Sequence, residues 1–178
     1  MRTLVLGGIR SGKSEWAEQA VTSALPSSQP VRYLAPGPCG ATDTAWARRV
    51  AQHRDRRPEH WTTIETRDVA TELGRSPDTP TLVDDLGTWL TGTLDQHDAW
   101  ENGSVADPVA RILDAVGAFR STLVLVSPEV GLTVVPATAA GRRFADELGS
   151  LNQRVAALCE RVVLVVAGQP ISIKAPEA

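Results

Sequence analysis

Short apolar runs alternate along the whole chain with stretches in which apolar residues recur every three or four positions. The runs Thr3–Leu6, Val31–Ala35, Thr62–Glu65, Thr81–Asp84, Leu123–Ser127 and Val162–Ala167 predict strands, with a short last one near Ile171–Lys174. Most are rich in Val and Leu. A first helix begins near Lys13 and carries Trp16, Ala17, Ala20 and Val21 on one side. Later, Val105, Val109, Ile112, Val116 and Phe119 recur at helical spacing, as do Phe144, Leu148, Leu151, Val155 and Leu158, so both segments are expected to pack on a sheet. This alternation predicts an α/β fold with a mostly parallel central sheet flanked by helices.

Punctuation between these elements is short. Pro and Gly concentrate at Pro36-Gly37-Pro38-Cys39-Gly40, Pro26–Pro30 is a Ser/Pro turn after the first helix, and Arg75–Pro80 and Asp95–Gly103 are polar connections. None has the length of a domain linker, and no repeat or low-complexity tract interrupts the pattern. The 178 residues are therefore expected to form one domain over 1–178, large enough to bury a core without metal or disulfide support.

Composition narrows the classes of partner. A formal net charge of -3 gives no support to a nucleic-acid or membrane-surface role. Cys39 and Cys159 are the only cysteines and form no C-x-x-C pair, as expected in a reducing compartment. No apolar segment is long enough to insert in a membrane, and the first strand starts at once with no room for a signal peptide, so a cytoplasmic location is expected.

The chemistry begins directly after Leu4-Val5-Leu6. Gly7-Gly8-Ile9-Arg10-Ser11-Gly12-Lys13-Ser14 satisfies G-x-x-x-x-G-K-[ST] between a strand and a helix. Glycines there let successive backbone N–H groups turn inward around phosphate oxygens, Lys13 reaches the outer phosphates and the Ser14 hydroxyl holds Mg²⁺. The helix points its positive end at the same anion. Strand, loop and helix in that order predict a P-loop NTPase fold of the RecA-like kind.

Asp84 closes the apolar strand Thr81-Leu82-Val83, where a carboxylate is the second expected element of such a site and takes Mg²⁺ directly or through water. Asp85 follows immediately; the metal role is assigned to Asp84, and one member of the pair is expected to be a turn or helix-capping residue. Further along, Arg48 to Pro58 holds five arginines and a histidine in eleven positions. Arginine forks suit phosphate oxygens, and a triphosphate needs neutralisation beyond Lys13, although a solvated helix end has the same composition.

Taken together, these segments resemble the bifunctional adenosylcobinamide kinase/adenosylcobinamide-phosphate guanylyltransferase family of cobalamin biosynthesis. The resemblance runs nearly end to end: the phosphate loop, Arg49–Trp61 as R-[IV]-x-x-H-x-x-x-R-P-x-x-W, Glu129-Val130-Gly131 with Val135-Pro136, Leu151-Asn152-Gln153-Arg154, and Leu164-Val165-Val166-Ala167-Gly168. Other small P-loop kinases share only the first of these.

The resemblance implies that His53 takes up GMP from GTP as a covalent intermediate. Arg54, Arg56 and Arg57 beside it resist a further positive charge and keep a ring nitrogen free to attack. It implies nucleotide contacts from Ala35, Pro36 and Gly37, from Arg54, Asp55, Arg56 and Arg57, and from Glu65 and Asp84. His60 and His97 inherit no role. The substrates implied are adenosylcobinamide, adenosylcobinamide phosphate, GTP and ATP, with Mg²⁺ as cofactor and a homotrimer as the assembly. A nucleic-acid motor is the rival in another class, disfavoured by the acidic charge and the lack of an aromatic-rich basic surface. A passive nucleotide sensor has no positive feature in its favour, and the absence of an N-K-x-D signature counts against a GTPase switch.

Overall fold

The computed structural model describes residues 1–37 and 57–176. In chain order the elements are β1 (Arg2–Gly7), α1 (Lys13–Ala24), β2 (Val31–Ala35), β3 (Trp61–Glu65), α2 (Val69–Arg75), β4 (Thr81–Asp84), α3 (Leu86–Gln96), α4 (Ala106–Gly117), β5 (Leu123–Pro128), α5 (Ala139–Leu158), β6 (Arg161–Val166) and β7 (Gln169–Lys174). The strands form one seven-stranded sheet in the order β3-β2-β4-β5-β1-β6-β7. Every pairing is parallel except that of β6 with the edge strand β7.

Because the sheet is covered on both faces, neighbouring residues of one strand enter opposite cores. Leu4, Leu34, Val83, Leu123, Leu125 and Val162 face a layer built by α2, α3, α4 and α5, whose Leu73, Leu90, Ile112, Val116, Leu148, Leu151 and Val155 are buried against them. Val5, Val31, Tyr33, Leu82, Val124, Val126, Val163 and Val165 face α1, which contributes Ala17 and Val21. On α1 the buried set also includes Glu18, while Trp16 and Ala20, expected on the apolar side, are half-buried.

All seven anticipated strands are present, each within one or two residues of its expected bounds, but α2 and α3 have no counterpart in the sequence pattern. Helix α2 is seven residues long with two buried apolar positions, Val69 and Leu73. In α3 the buried Leu86, Leu90 and Leu94 are diluted by Gly87, Thr88, Thr91, Gly92 and Thr93, residues of low helix propensity. Both helices are started by an aspartate: Asp68 accepts from the Thr71 N–H and Asp85 from the Thr88 N–H, satisfying orphan donors of the first turn.

Candidate active site at the carboxyl edge of the sheet

Gly8 to Gly12 bridge the end of β1 and the amino terminus of α1. The bridge turns where the Ser11 N–H donates to the Gly8 carbonyl at 3.3 Å, and its backbone is left-handed at Arg10 (φ 57°) and Gly12 (φ 91°). Such changes of handedness turn successive N–H groups to one side and make a concave seat for an anion. The first N–H groups of α1 open onto the same seat. A Cβ on Gly7 would lie 2.8 Å from the Val165 carbonyl oxygen, and Gly12 combines its left-handed backbone with a Gly168 Cα 3.2 Å from where a Cβ would stand. Ile9 and Arg10 are exposed, and Lys13 reaches back over the loop with Nζ 3.2 Å from the Gly8 carbonyl.

Neighbouring segments brace this loop. Ala167 and Gly168, both at positive φ, make the two-residue turn between β6 and β7, and the Gly168 N–H donates to the Ser11 carbonyl at 2.8 Å. Directly after β5, the Glu129 N–H donates to the Gly7 carbonyl at 3.0 Å. The buried Asn152 of α5 fixes that strand's end, accepting from the Ser127 hydroxyl at 2.6 Å and donating to the Pro128 carbonyl at 3.0 Å.

Beside the loop stand the acids. Asp84 Oδ1 accepts from the Ser14 hydroxyl at 3.2 Å and its Oδ2 accepts from the Tyr33 hydroxyl at 2.6 Å. Asp85, across a cis peptide bond, caps α3. Burial, then the neighbouring Asp84 charge, raises the Asp85 pKa above the ordinary carboxylate range. Burial, then the Asp84 charge, likewise pushes the Tyr33 phenol up, so its hydroxyl donates. The Arg57 guanidinium lies 3.3 Å from the centre of the Tyr33 ring and donates to Thr63 Oγ1 at 2.8 Å.

Ala35 ends β2 opposite Glu65, which ends β3, and the Ala35 carbonyl accepts from Thr66 N–H. With Pro36 and Gly37 directly following, the structure brings Ala35, Pro36, Gly37 and Glu65 to the same edge of the sheet as the loop and Asp84. Crevices at the carboxyl ends of parallel strands are where α/β folds take ligands. One hydroxyl and one carboxylate, both hard oxygen donors, suit Mg²⁺, which keeps waters and takes its other ligands from phosphates. His53, Arg54, Asp55 and Arg56 lie outside the described residues.

Residues 3–173 match the family model for cobinamide kinase / cobinamide phosphate guanyltransferase. This chain belongs to that family. It is 40% identical to the bifunctional adenosylcobalamin biosynthesis protein CobP of Pseudomonas aeruginosa, across 98% of each chain. It is 33% and 34% identical to the CobU proteins of Salmonella typhimurium and Escherichia coli, across 98% of this chain and 100% of each of those. Among solved structures it is similar to the bacteriophage phi6 P4 protein in complex with ADP. That likeness has a TM-score of 0.44 at 16% identity, over 96% of this chain and 53% of the other, and is too distant to argue from.

Three of the segments on which the resemblance to the cobinamide kinase/guanyltransferase family is read in the sequence brace the loop. Leu151–Arg154 contains Asn152, Glu129-Val130-Gly131 begins with the N–H that holds Gly7, and Ala167-Gly168 is the turn against Ser11. Sequence reasoning attached no task to Asn152 and passed over Tyr33 altogether. A signal for Tyr33 existed: it is the chain's one tyrosine, in a strand otherwise suited to burial, where a phenol needs a hydrogen-bond partner.

Proposed function

We propose that this chain phosphorylates adenosylcobinamide and then guanylylates the product, both through the crevice at the carboxyl edge of the sheet. In the first step the aminopropanol hydroxyl oxygen attacks the γ-phosphorus of a nucleoside triphosphate. The bond to the β–γ bridging oxygen breaks, the diphosphate leaves and the hydroxyl proton is lost. In the second, a His53 ring nitrogen attacks the α-phosphorus of GTP and pyrophosphate leaves. The phosphate of adenosylcobinamide phosphate then attacks the same phosphorus, breaking the phosphorus–nitrogen bond to give adenosylcobinamide-GDP and free histidine.

The observation that carries this reading is the loop Gly7–Ser14 with its lysine and the Ser14–Asp84 contact of 3.2 Å, in a chain that matches the family over residues 3–173. Phosphoryl transfer asks mainly for positioning and charge neutralisation. The loop N–H groups seat the phosphates, Lys13 compensates their outer charge, and Ser14 with Asp84 would hold Mg²⁺, which supplies further neutralisation when bound. Ala35, Pro36, Gly37, Arg54, Asp55, Arg56, Arg57 and Glu65 complete the nucleotide contacts in this reading, and the working assembly is a cytoplasmic homotrimer.

The test is incubation with GTP labelled at the α-phosphate, followed by denaturing electrophoresis. Wild-type protein is expected to retain label and release pyrophosphate, and the adduct should vanish in acid and persist in alkali. His53→Ala and His53→Asn should lose the label while the kinase step survives. Label that forms normally in the His53 variants, or never forms in wild type, overturns the guanylyl-transfer mechanism.

A further inference from the structure

Tyr33 is 2% exposed in the middle of β2 and sits opposite Leu82 of β4 in the parallel register. Asp84 lies two residues beyond Leu82, so its side chain emerges on the same face. A tyrosine is long enough to cross to that diagonal neighbour, and its hydroxyl closes on Asp84 Oδ2 at 2.6 Å, the length of a charge-assisted hydrogen bond. With Oδ2 so engaged, the carboxylate's rotation is set and Oδ1 faces Ser14. The Arg57 guanidinium lies over the same ring, 3.3 Å from its centre, and its buried Nε has no hydrogen-bond partner among the described residues. The ring is thus the platform for the last arginine of the arginine-rich segment. A Phe would fill this layer equally well and need no partner; the hydroxyl is explained by Asp84, not by packing.

We propose that Tyr33 is a positioning residue for the phosphate-transfer site, orienting Asp84 toward Ser14 through its hydroxyl while its ring fixes Arg57. The inference rests on the reading of Ser14 and Asp84 as the residues that hold the divalent cation. Groups that orient a metal-binding carboxylate commonly change metal affinity about 10- to 100-fold when removed.

Tyr33→Phe deletes one oxygen and keeps every ring carbon, so the core and the Arg57 platform stay filled. Mn²⁺ serves as the probe, titrated into protein with ADP and followed by electron paramagnetic resonance, with ADP alone as the blank. Wild type is expected to bind Mn²⁺ more tightly than the blank, and Tyr33→Phe about tenfold more weakly than wild type. Metal-free ADP binding and the melting temperature should hold. In kinetics the Mg²⁺ requirement should rise while kcat recovers at saturating Mg²⁺. Asp84→Asn combined with Tyr33→Phe should be no weaker for Mn²⁺ than Asp84→Asn alone, since the hydroxyl acts through that carboxylate. Equal Mn²⁺ affinity in Tyr33→Phe and wild type, with Asp84→Asn impaired, overturns the role of Tyr33 and leaves the site reading standing. Mn²⁺ affinity that Asp84→Asn does not change overturns both.

Discussion

At the amino edge of the sheet the chain ties itself down, whereas at the carboxyl edge the same strands end in glycines, left-handed residues and carboxylates. Arg2 alone makes three hydrogen bonds to the Glu160 carboxylate, two through its guanidinium and one through its backbone N–H, and a fourth to the Gly117 carbonyl. The Leu123 N–H donates to the Met1 carbonyl, Arg120 forks onto Asp78, and Arg32 pairs with Glu72. At the other edge Arg10, Gly12, Ala167 and Gly168 all have positive φ. At Arg10 and Ala167, which are not glycines, such backbone carries a conformational cost. The difference is spatial: the ion pairs Arg2–Glu160, Arg120–Asp78 and Arg32–Glu72 lie toward one end, and the loop proposed to meet phosphate, with the backbone contacts that brace it, lies at the other.

The sharpest way to break that comparison is a substitution at each end. Lys13→Ala removes a charge partner that fills no core, so both transfers should fall on the order of 10² to 10³ in rate, with the melting temperature held. Near-normal turnover in the folded variant would remove the phosphate loop from the mechanism. At the opposite end, the Arg32 and Glu72 side chains are only 12% and 14% exposed, and Glu72 also accepts from Arg75. Glu72→Gln keeps the volume and loses the charge, for an expected destabilisation of about 1.5–3 kcal/mol by denaturant unfolding. Activity at low temperature should be unchanged; a matching loss of activity would mean that the two edges are coupled.

How much of this was legible in the sequence follows the same division. The phosphate loop could be read residue by residue because its work is done by backbone shape, and Gly7, Gly12, Lys13 and Ser14 are neighbours in the chain. The strands could be read because burial makes them continuous apolar runs. Helix α3 was hidden because Gly87, Gly92 and three threonines break its apolar period, and only its tertiary packing decides the outcome. Asp84 can be preferred to Asp85 from its place at the end of the strand, and the coordinates add the partners: Asp84 faces Ser14 and Asp85 caps α3. Tyr33 has meaning only once β2 lies beside β4, and these strands are not consecutive in the chain. Asn152 likewise needs α5 laid against the end of β5.

The smallest effect expected sharpens the comparison through pH. Burial acts to raise the Glu160 pKa, but hydrogen bonds from the Arg2 side chain and backbone overcome it and hold the group at about 2, below its ordinary 4.5. A depressed carboxylate stabilises the fold in full above its unfolded pKa, and the contribution is lost as pH falls through the folded value. Between about 4.5 and about 2, stability should therefore decline in the wild type, and Glu160→Gln should flatten that decline. Because the Glu160 side chain is 40% exposed, solvent screening limits the gain, and the variant should lose only about 0.2–1 kcal/mol at pH 7. Raising salt should narrow the difference further. Denaturant unfolding of both proteins from pH 7 down to pH 2 checks the sign. A difference that grows as the pH falls would contradict the assignment of Glu160 as a depressed carboxylate, and a loss of nucleotide binding in the variant would contradict the separation of the two edges.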